Sequence, residues 1–419
     1  MADHVDTTTE TALTVIAVLR RFLPAFRKFQ WLPVYLDRAI WAILYCRTVV
    51  MGGHIYHCED CDQWKFIPHS CNHRSCPQCG RGDTARWVER ELAKRVGAPY
   101  FMVTFTLPEE LRALFFGPQE RLIHDLFFTA SSRALADTLA MDKALRAQRS
   151  GFTGVLHTWN QRLHFHPHIH YIVPGAGIDE HGGGVTVKSA NFLVPLPILR
   201  EAFRRHFQSG WEELKQTPHW QKNKWRYERR GKLEPDPGVW DKDWGVHIKP
   251  FGDGANAIKY LGRYVCRSAI SDARIVAIGD DDTVTFRWKD RAQQNRQRTE
   301  TIPGETFVMR YLQHVLPSGV RAIRRFGFCH PAAKAARERI AFHTGKTLHI
   351  GPTLAEAVAA AGNTDTGDGI PHPPCPCCQR PMARIEGAFN KLPCEVRKIL
   401  LTQLRAPPAT QVTPAPLST

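Results

Sequence analysis

The segment RLHFHPHIHYIVPG, residues 162–175, decides the fold because it alternates histidine with other residues and then becomes apolar. Successive side chains of a β-strand point to opposite faces, so the histidines are predicted on one face and the apolar residues between them on a core face. The histidines are His164, His166, His168 and His170. Pro167 removes a backbone donor near the strand start, so His168 and His170 are the most securely placed pair.

Imidazoles aligned in this way converge on one metal ion, although an isolated His-x-His pair is often only a surface feature. The sequence leaves the identity of the ion open. Neutral imidazoles alone favour Zn²⁺, whereas a site completed by phosphate oxygens and water accepts Mg²⁺ or Mn²⁺.

The neighbouring segments predict an α+β fold. GFTGVLHTWN, residues 151–160, is a strand-like run that we expect to form a hairpin with the histidine strand, and YFMVTFTLP, residues 100–108, predicts another strand. Helical periodicity covers residues 12–50 as two helices, the first interrupted at Pro24, and returns over residues 117–146.

Two Cys-x2-Cys pairs lie in HCEDCDQWKFIPHSCNHRSCPQC, residues 57–79. Each pair turns tightly enough to offer two thiolates to one ion, so Cys58, Cys61, Cys76 and Cys79 are predicted to bind one tetrahedral zinc ion. Cys71, His69 and His73 are alternative ligands from the loop between the pairs. The competing interpretation is a redox-active dithiol or a set of buried free cysteines.

A second, incomplete pair occurs in PPCPCCQRPM, residues 373–382. Cys375 and Cys378 supply half of a zinc site, which Cys329 and His330 would complete if the chain folded back on itself. The alternative is that these cysteines bind nothing.

NAIKYLGRYVCR, residues 256–267, places Tyr260 and Tyr264 one turn apart on the same face of a predicted helix. Lys259, Arg263 and Arg267 surround them with positive charge. A phenol is a poor nucleophile alone, but a metal and nearby cations assist its attack on a phosphate. Two core aromatics at helical spacing are the alternative interpretation.

The charge of the chain favours a polyanionic partner. Its 419 residues contain 56 Lys and Arg against 40 Asp and Glu, a formal charge of +16, so nucleic acid is preferred over an anionic membrane surface. The polar, acidic start MADHVDTTTE and the lack of a long apolar run predict neither a secretory signal nor a membrane span.

A basic, Trp-rich stretch covers residues 196–250. Four of its arginines are predicted to contact DNA, and its aromatic residues are candidates for stacking on bases. The arginines are Arg204, Arg205, Arg229 and Arg230, and the aromatic residues are Trp211, Trp220, Trp225 and Tyr227. A solvated helix with core tryptophans is the alternative.

Over about residues 30–335 the chain resembles the rolling-circle transposases of the IS91 insertion-sequence type, which are HUH (His-hydrophobe-His) endonucleases. HPHIH followed by the YxxxY helix carries the first part of the resemblance. The family's order is also followed by CRTVVMGGHIYHCEDC, SCNHRSCPQC, TFTLPEELR, LHTWNQRLHFHPHIHYIVPG, YLGRYVCR and HVLPSGVRAIRRFGF. SCNHRSC departs from the family pattern in the position of His73, which weakens any histidine ligand there.

The resemblance implies an HUH-type antiparallel sheet flanked by helices, with His168 and His170 as ligands of Mg²⁺ or Mn²⁺ and a third His, Gln or carboxylate ligand. We predict His166 as this third ligand because it shares the strand face. Tyr260 and Tyr264 would be the nucleophiles of the two-tyrosine subgroup. The implied reaction is cleavage of single-stranded DNA at transposon ends through a 5′-phosphotyrosine, followed by transfer to target DNA. No ATP is required, and the expected location is the bacterial cytoplasm, in association with the nucleoid.

Four regions are expected. They are a helical segment over 1–50, a zinc-binding domain over 51–82, an HUH catalytic domain over 83–335 with the basic insertion at 196–250, and a C-terminal region over 336–419. Three rival functions remain: a zinc DNA-binding protein without catalysis, a replication initiator or relaxase on the same fold, and a histidine-ligated hydrolase or oxygenase for small molecules. The last leaves the positive charge and the tyrosine pair unexplained.

Overall fold

The structure is a computed structural model that describes residues 13–79, 81–145, 148–179, 184–228, 234–265, 268–345, 372–386, 392 and 394–405. Arg229, Arg230, Arg267 and the expected tail VTPAPLST lie outside these residues. Within them, no helix is both long and apolar enough to cross a lipid bilayer.

The helices and strands follow one another in mixed order. The helices are α1 (Val15–Phe29), α2 (Val34–Leu44), α3 (Arg81–Ala93), α4 (Glu120–Met141), α5 (Leu196–Gln216), α6 (Pro218–Glu228), α7 (Ala255–Val265), α8 (Gly304–Leu312), α9 (Lys334–His343) and α10 (Cys394–Arg405). The strands are β1 (Gly53–Cys58), β2 (Gln63–Pro68), β3 (Tyr100–Thr106), β4 (Gln148–Trp159), β5 (Phe165–Pro174), β6 (Ala176–Asp179), β7 (Val185–Val187), β8 (Gly245–Pro250), β9 (Ile275–Ile278), β10 (Thr283–Asp290), β11 (Arg296–Pro303), β12 (Ile323–Gly327) and β13 (Ala383–Ile385).

Helix α1 is continuous through Pro24, so the predicted interruption is wrong. Thr14 caps the helix by accepting a hydrogen bond from the amide of Ala17 at 3.0 Å. Its apolar face, including Leu19 and Phe22, is fully buried in a core shared with α8. We infer that this burial outweighs the roughly 3 kcal/mol that an internal proline costs.

The central sheet has seven antiparallel strands in the order β7-β6-β4-β5-β3-β8, with β12 also paired to β4. The predicted hairpin of β4 and β5 is present, and the α+β prediction is confirmed. Helices α4 and α5 cover one face, where Ile169 and Tyr171 of β5 are buried. Helices α3, α7 and α9 pack on the other face, which is the one that carries the histidines.

Two smaller sheets accompany the central one. Strands β9, β10 and β11 form an antiparallel sheet, and its β10–β11 hairpin extends toward the histidine face. Strands β13, β1 and β2 form the other sheet, in which the C-terminal β13 pairs with β1 near the start of the chain.

The aromatic residues of the basic stretch are mostly core residues. Trp211, Trp220 and Tyr227 are buried against α4 and β8, so the prediction that they stack on DNA bases is wrong for these three. Trp225 remains 57% exposed. Trp211 is buried because α5 is amphipathic, with its apolar side toward the core and its charged side toward solvent. Trp220 and Tyr227 of α6 are buried because Trp220 packs on Trp211 and Tyr227 packs on Trp220.

Candidate metal centre and cleft

Three histidines from the β4–β5 hairpin form the candidate catalytic centre. The ligand atoms of His157, His168 and His170 all lie within 4.8 Å of one another. The hairpin register places His157 directly opposite His168, and Nδ1 of His157 lies 2.8 Å from Nε2 of His168. We call these three residues the histidine cluster.

Hydrogen bonds hold two rings of the cluster in a fixed orientation. The Nδ1–H of His168 donates to the carbonyl of His166 at 2.8 Å, so its Nε2 presents a lone pair to the centre. Nδ1 of His170 is 2.8 Å from the hydroxyl of Thr104 on the neighbouring strand β3. Contacts of this kind set the tautomer of a metal-binding histidine and orient its ring.

Burial keeps all three rings neutral. Desolvation, reinforced by the neighbouring histidines, lowers the pKa of His157 well below its ordinary value and that of His168 to about 3. Burial and the charge of Arg291 lower the pKa of His170 to about 4. Neutral imidazole is the form that binds a metal ion, so the donor set fits a divalent cation whose remaining positions are filled by oxygen atoms.

His166, predicted as the third ligand, does not belong to this cluster, and His157 lies beside His168 and His170 in its place. Although His166 shares the strand face with His168, its Nδ1 is 3.0 Å from the guanidinium of Arg112. The cross-strand neighbour is closer to the centre than the residue two positions along the same strand. His166 instead forms part of the rim.

Tyr260 lies in the same cleft as the histidine cluster. The cleft has a volume of about 430 Å³ and is lined by all three histidines and by Tyr260. The ring of Tyr260 packs edge-on to that of His170, with their centroids 6.3 Å apart. The structure therefore brings one predicted nucleophile to the predicted metal ligands across about ninety positions of sequence.

Helix α7 is held close to α3 by Gly262. A Cβ at this position would lie 2.3 Å from a methyl carbon of Val88, so only glycine fits the crossing. Arg263 and Tyr264 lie on the same helix, but the structure describes only their backbone. Lys259 is exposed beside Glu89 of α3, outside the cleft.

The β10–β11 hairpin supplies the cationic wall of the cleft. Trp288, Lys289 and Arg291 line it, and the Lys289 and Arg291 side chains are exposed with no ion-pair partner among the described residues. The hairpin is anchored by Arg162, which lies over the ring of Trp288 and pairs with Glu300 at 2.7 Å. These cations were not predicted, since no motif in the sequence marks them.

The predicted cationic residues of α5 lie elsewhere. Helix α5 packs on the opposite face of the sheet from α7. Arg204 pairs with Glu201 at 2.6 Å and donates to the carbonyl of Trp240, whereas Arg205 is exposed. The structure does not bring these arginines to the histidine cluster.

Eight cysteines of the described residues form two groups of four. Cys46, Cys71, Cys76 and Cys79 form the inner cysteine cluster, and Cys58, Cys61, Cys375 and Cys378 form the terminal cysteine cluster. The prediction of a single site from Cys58, Cys61, Cys76 and Cys79 is therefore wrong in its pairing. Strand β13 pairs with β1 and brings Cys375 and Cys378 to Cys58 and Cys61, whereas Cys76 and Cys79 lie with Cys46 and Cys71.

The inner cluster is built into the core. Cys76 is fully buried beside α1, α2 and α8, and the hydroxyl of Tyr311 on α8 donates to the carbonyl of Ser75. The amide of Cys71 donates to the sulfur of Cys46 at 3.4 Å, a contact that stabilises a thiolate. Cys46, just after α2, went unnoticed because it belongs to no Cys-x2-Cys pair.

The other candidate ligands have different partners. Nε2 of His69 lies 3.3 Å from His54, and Nδ1 of His73 accepts from the amide of Ser75. Cys329 and His330, predicted to complete a site with Cys375 and Cys378, follow β12 instead. His330 caps the next helical turn by accepting from the amide of Ala332.

Two segments of the chain match described protein families. Residues 151–337, which include the histidine cluster and α7, match the family described as "Putative transposase". Residues 18–107, which include the inner cysteine cluster, match the "Transposase zinc-binding domain". No solved structure matches the chain.

Two curated relatives cover most of the chain. "Putative transposase y4qJ" of Sinorhizobium fredii is 35% identical over 322 residues, 75% of this chain and 79% of the relative. "Transposase for insertion sequence element IS801" of Pseudomonas savastanoi pv. phaseolicola is 30% identical over 298 residues, 68% of each chain. Given these two relatives and the two domain matches, the chain belongs to the IS91-type insertion-sequence transposases that carry an N-terminal zinc-binding domain.

Proposed function

We propose that this transposase cleaves and rejoins single-stranded DNA at the ends of its element by rolling-circle chemistry, with Tyr260 as a nucleophile and Mg²⁺ or Mn²⁺ held by His157, His168 and His170. The observation that carries the proposal is the shared cleft, in which a tyrosine and three neutral imidazoles face the same space. A closed structural metal site would not need such a cleft.

In the first step, the phenolic oxygen of Tyr260 attacks the phosphorus of a phosphodiester. The bond to the 3′-oxygen of the upstream nucleotide breaks, the leaving oxygen takes a proton to become a 3′-hydroxyl, and the downstream strand stays on the tyrosine through its 5′-phosphate. A divalent cation bound at the histidine cluster would neutralise charge on the phosphate. The phosphotyrosine keeps the energy of the broken ester, so rejoining needs no nucleotide cofactor.

The second step reverses the first on a different strand end. A free 3′-hydroxyl attacks the phosphotyrosine, forms a new phosphodiester and releases the phenol. Tyr264, one helical turn beyond Tyr260, is proposed as the second nucleophile, because residues four apart share a helix face. Two tyrosines allow two strand ends to be held during one transfer.

The DNA is proposed to enter beneath the β10–β11 hairpin. Lys289 and Arg291 border the cleft and would contact backbone phosphates, which makes binding sensitive to salt. Trp288, packed against Arg162, offers a ring on which a base can stack.

The test uses the full chain with Mn²⁺ and single-stranded oligonucleotides that carry candidate element ends. We expect a covalent protein–DNA band on a denaturing gel when the label is at the 3′ end, and none when it is at the 5′ end, because the tyrosine retains the downstream fragment. Tyr260→Phe should lose the band. Tyr45→Phe, which changes a half-exposed tyrosine on the N-terminal side, is the matched control and should keep it.

Two outcomes would contradict the assignment of Tyr260 and Tyr264 as nucleophiles. One is an adduct that survives in the Tyr260→Phe, Tyr264→Phe double variant, and the other is sequence-specific binding with no adduct under any metal condition. The second outcome would favour a DNA-binding protein without catalysis. A band labelled only from the 5′ end would also exclude the 5′-phosphotyrosine.

A further inference from the structure

The terminal cysteine cluster joins residues from the two ends of the chain. Cys58 is the last residue of β1 and Cys61 follows it, whereas Cys375 and Cys378 lie more than three hundred positions later. The four sulfur atoms lie within 4.8 Å of one another. Cys375 and Cys378 fall outside both family matches, which end at residues 107 and 337. Nothing in those matches accounts for their position.

The spacing of the sulfurs fits a tetrahedral metal ion. The sulfurs of Cys58 and Cys378 are 3.7 Å apart. Four thiolates about 2.3 Å from one zinc ion lie roughly 3.8 Å from each other, whereas the sulfurs of a disulfide are about 2.05 Å apart. The distance therefore fits shared coordination and excludes a disulfide in this arrangement.

The two contributing turns are built alike. Asp62, directly after Cys61, has a φ of 49°, and Gln379, directly after Cys378, has a φ of 62°. In the C-terminal turn the amide of Gln379 donates to the carbonyl of Cys375 at 3.0 Å. Left-handed residues in these places reverse the chain and direct both thiols of each pair to one side.

Other contacts seat the C-terminal turn against the N-terminal hairpin. Strand β13 pairs with β1, with Ile385 opposite Ile55, and Arg380 forms an ion pair with Asp60 at 2.9 Å. Tyr56 and Met382 are buried together beside the sulfurs. The four thiols are thus held in a defined arrangement by surrounding structure.

We propose that the terminal cysteine cluster binds a structural zinc ion of its own, in addition to the ion of the inner cluster, and that this ion fastens the C-terminal segment to the N-terminal zinc-binding domain. Soft thiolate ligands in a set of four select zinc and leave no open position for chemistry. The terminal cysteine cluster also supports α10, whose Leu400 is buried against Ile55 and Phe66.

Zinc content of the purified full chain, measured by elemental mass spectrometry, tests the shared coordination. We expect Cys58→Ser with Cys61→Ser to lose one zinc per chain relative to the unmodified protein, and Cys375→Ser with Cys378→Ser to lose one as well. The fourfold variant should also lose one rather than two, because both pairs serve the same ion. Cys394→Ser, which changes an exposed cysteine of α10, is the matched control and should lose none.

An unchanged zinc content in Cys375→Ser, Cys378→Ser protein would overturn the proposal. So would a loss of two ions in a fourfold variant that retains the circular dichroism spectrum of the unmodified chain.

A second measurement needs no variant and so does not depend on folding. In the native protein, Cys58, Cys61, Cys375 and Cys378 should resist alkylation by N-ethylmaleimide until a zinc chelator is added, while Cys394 reacts at once. Peptide mass spectrometry reads out each site. Immediate alkylation of Cys375 and Cys378, at the rate of Cys394, would refute zinc binding by the terminal cysteine cluster.

Discussion

The histidine cluster and the inner cysteine cluster lie in one molecule but differ in how many ligands they offer and in what surrounds them. The histidine cluster presents three ligands at the base of a cleft of about 430 Å³. The inner cysteine cluster presents four, packed among the buried residues of α1, α2 and α8. Three ligands in an open cleft leave coordination positions that a phosphate can reach, whereas four buried ligands complete the coordination and leave the ion a structural role.

The difference also appears in what each site connects. The histidine cluster is rigid because it sits on paired strands, with His168 and His170 oriented by the His166 carbonyl and by Thr104. The inner cysteine cluster draws on Cys46 after α2 and on the loop before α3, so it ties separate elements together. Removing a ligand should therefore impair chemistry at the first site and folding at the second.

The largest expected effect is on stability, from Cys71→Ser combined with Cys76→Ser. Because structural zinc contributes its binding free energy to folding, we expect the free energy of unfolding to fall by about 5 kcal/mol or more. Thermal unfolding followed by circular dichroism, together with zinc content, measures this. A variant that loses its zinc and keeps the melting temperature of the unmodified protein would show that the inner cluster has no structural role.

The next effect is on catalysis, from His168→Ala. Loss of the proposed divalent cation should remove about 4 kcal/mol of transition-state stabilisation, roughly a thousand-fold in the rate of oligonucleotide cleavage. The zinc held by cysteine and the melting temperature should be nearly unchanged. His166→Ala is the matched comparison, since it removes a histidine of the same strand face that lies outside the cluster, and we expect a reduction of at most about ten-fold. If both variants lost the same fraction of the cleavage rate, His168 could not be assigned as a ligand and His166 as a residue of the cleft rim.

The smallest effect is on DNA affinity, from Lys289→Ala combined with Arg291→Ala. Each cation that contacts a phosphate steepens the dependence of binding on salt, so the slope of log affinity against log salt should decrease in magnitude by about one for each residue removed. Fluorescence anisotropy with a single-stranded oligonucleotide over a range of salt concentrations measures the slope. Arg205→Ala, on the opposite side of the sheet, should leave it unchanged, and a decrease there of the same size would place the DNA elsewhere.

The alternation of β5 made part of the site predictable, because a period of two fixes which side chains share a face. His168 and His170 follow from that period alone. His157 does not, since its place depends on the register of the β4–β5 hairpin. This register depends on the turn that contains Leu163, whose φ is 62°, and on an irregularity between His157 and Trp159 at which the register shifts. Placing His157 opposite His168 would have required the turn geometry as well as the strand pattern.

The cysteine pairing could not be predicted for a similar reason. Spacing shows that Cys58 and Cys61 act together, but not which other pair they meet. The direction of the β1–β2 hairpin and the pairing of β13 with β1 decide that, and both are tertiary contacts. The Trp-rich stretch shows the same limit, because Trp211 is a core residue only once α5 is placed on the sheet.

The pairing of β13 with β1 has a consequence for how the protein is made. All four cysteines of the inner cluster are outside the ribosome once residue 79 has emerged. That site can therefore bind metal while most of the chain is still unsynthesised. The terminal cluster must wait for Cys378, and until then β1 lacks its partner strand β13 and Cys58 and Cys61 lack the other two thiols of the cluster. A chain whose translation stops before Cys378 would therefore lack the complete terminal cysteine cluster and the metal ion proposed for it.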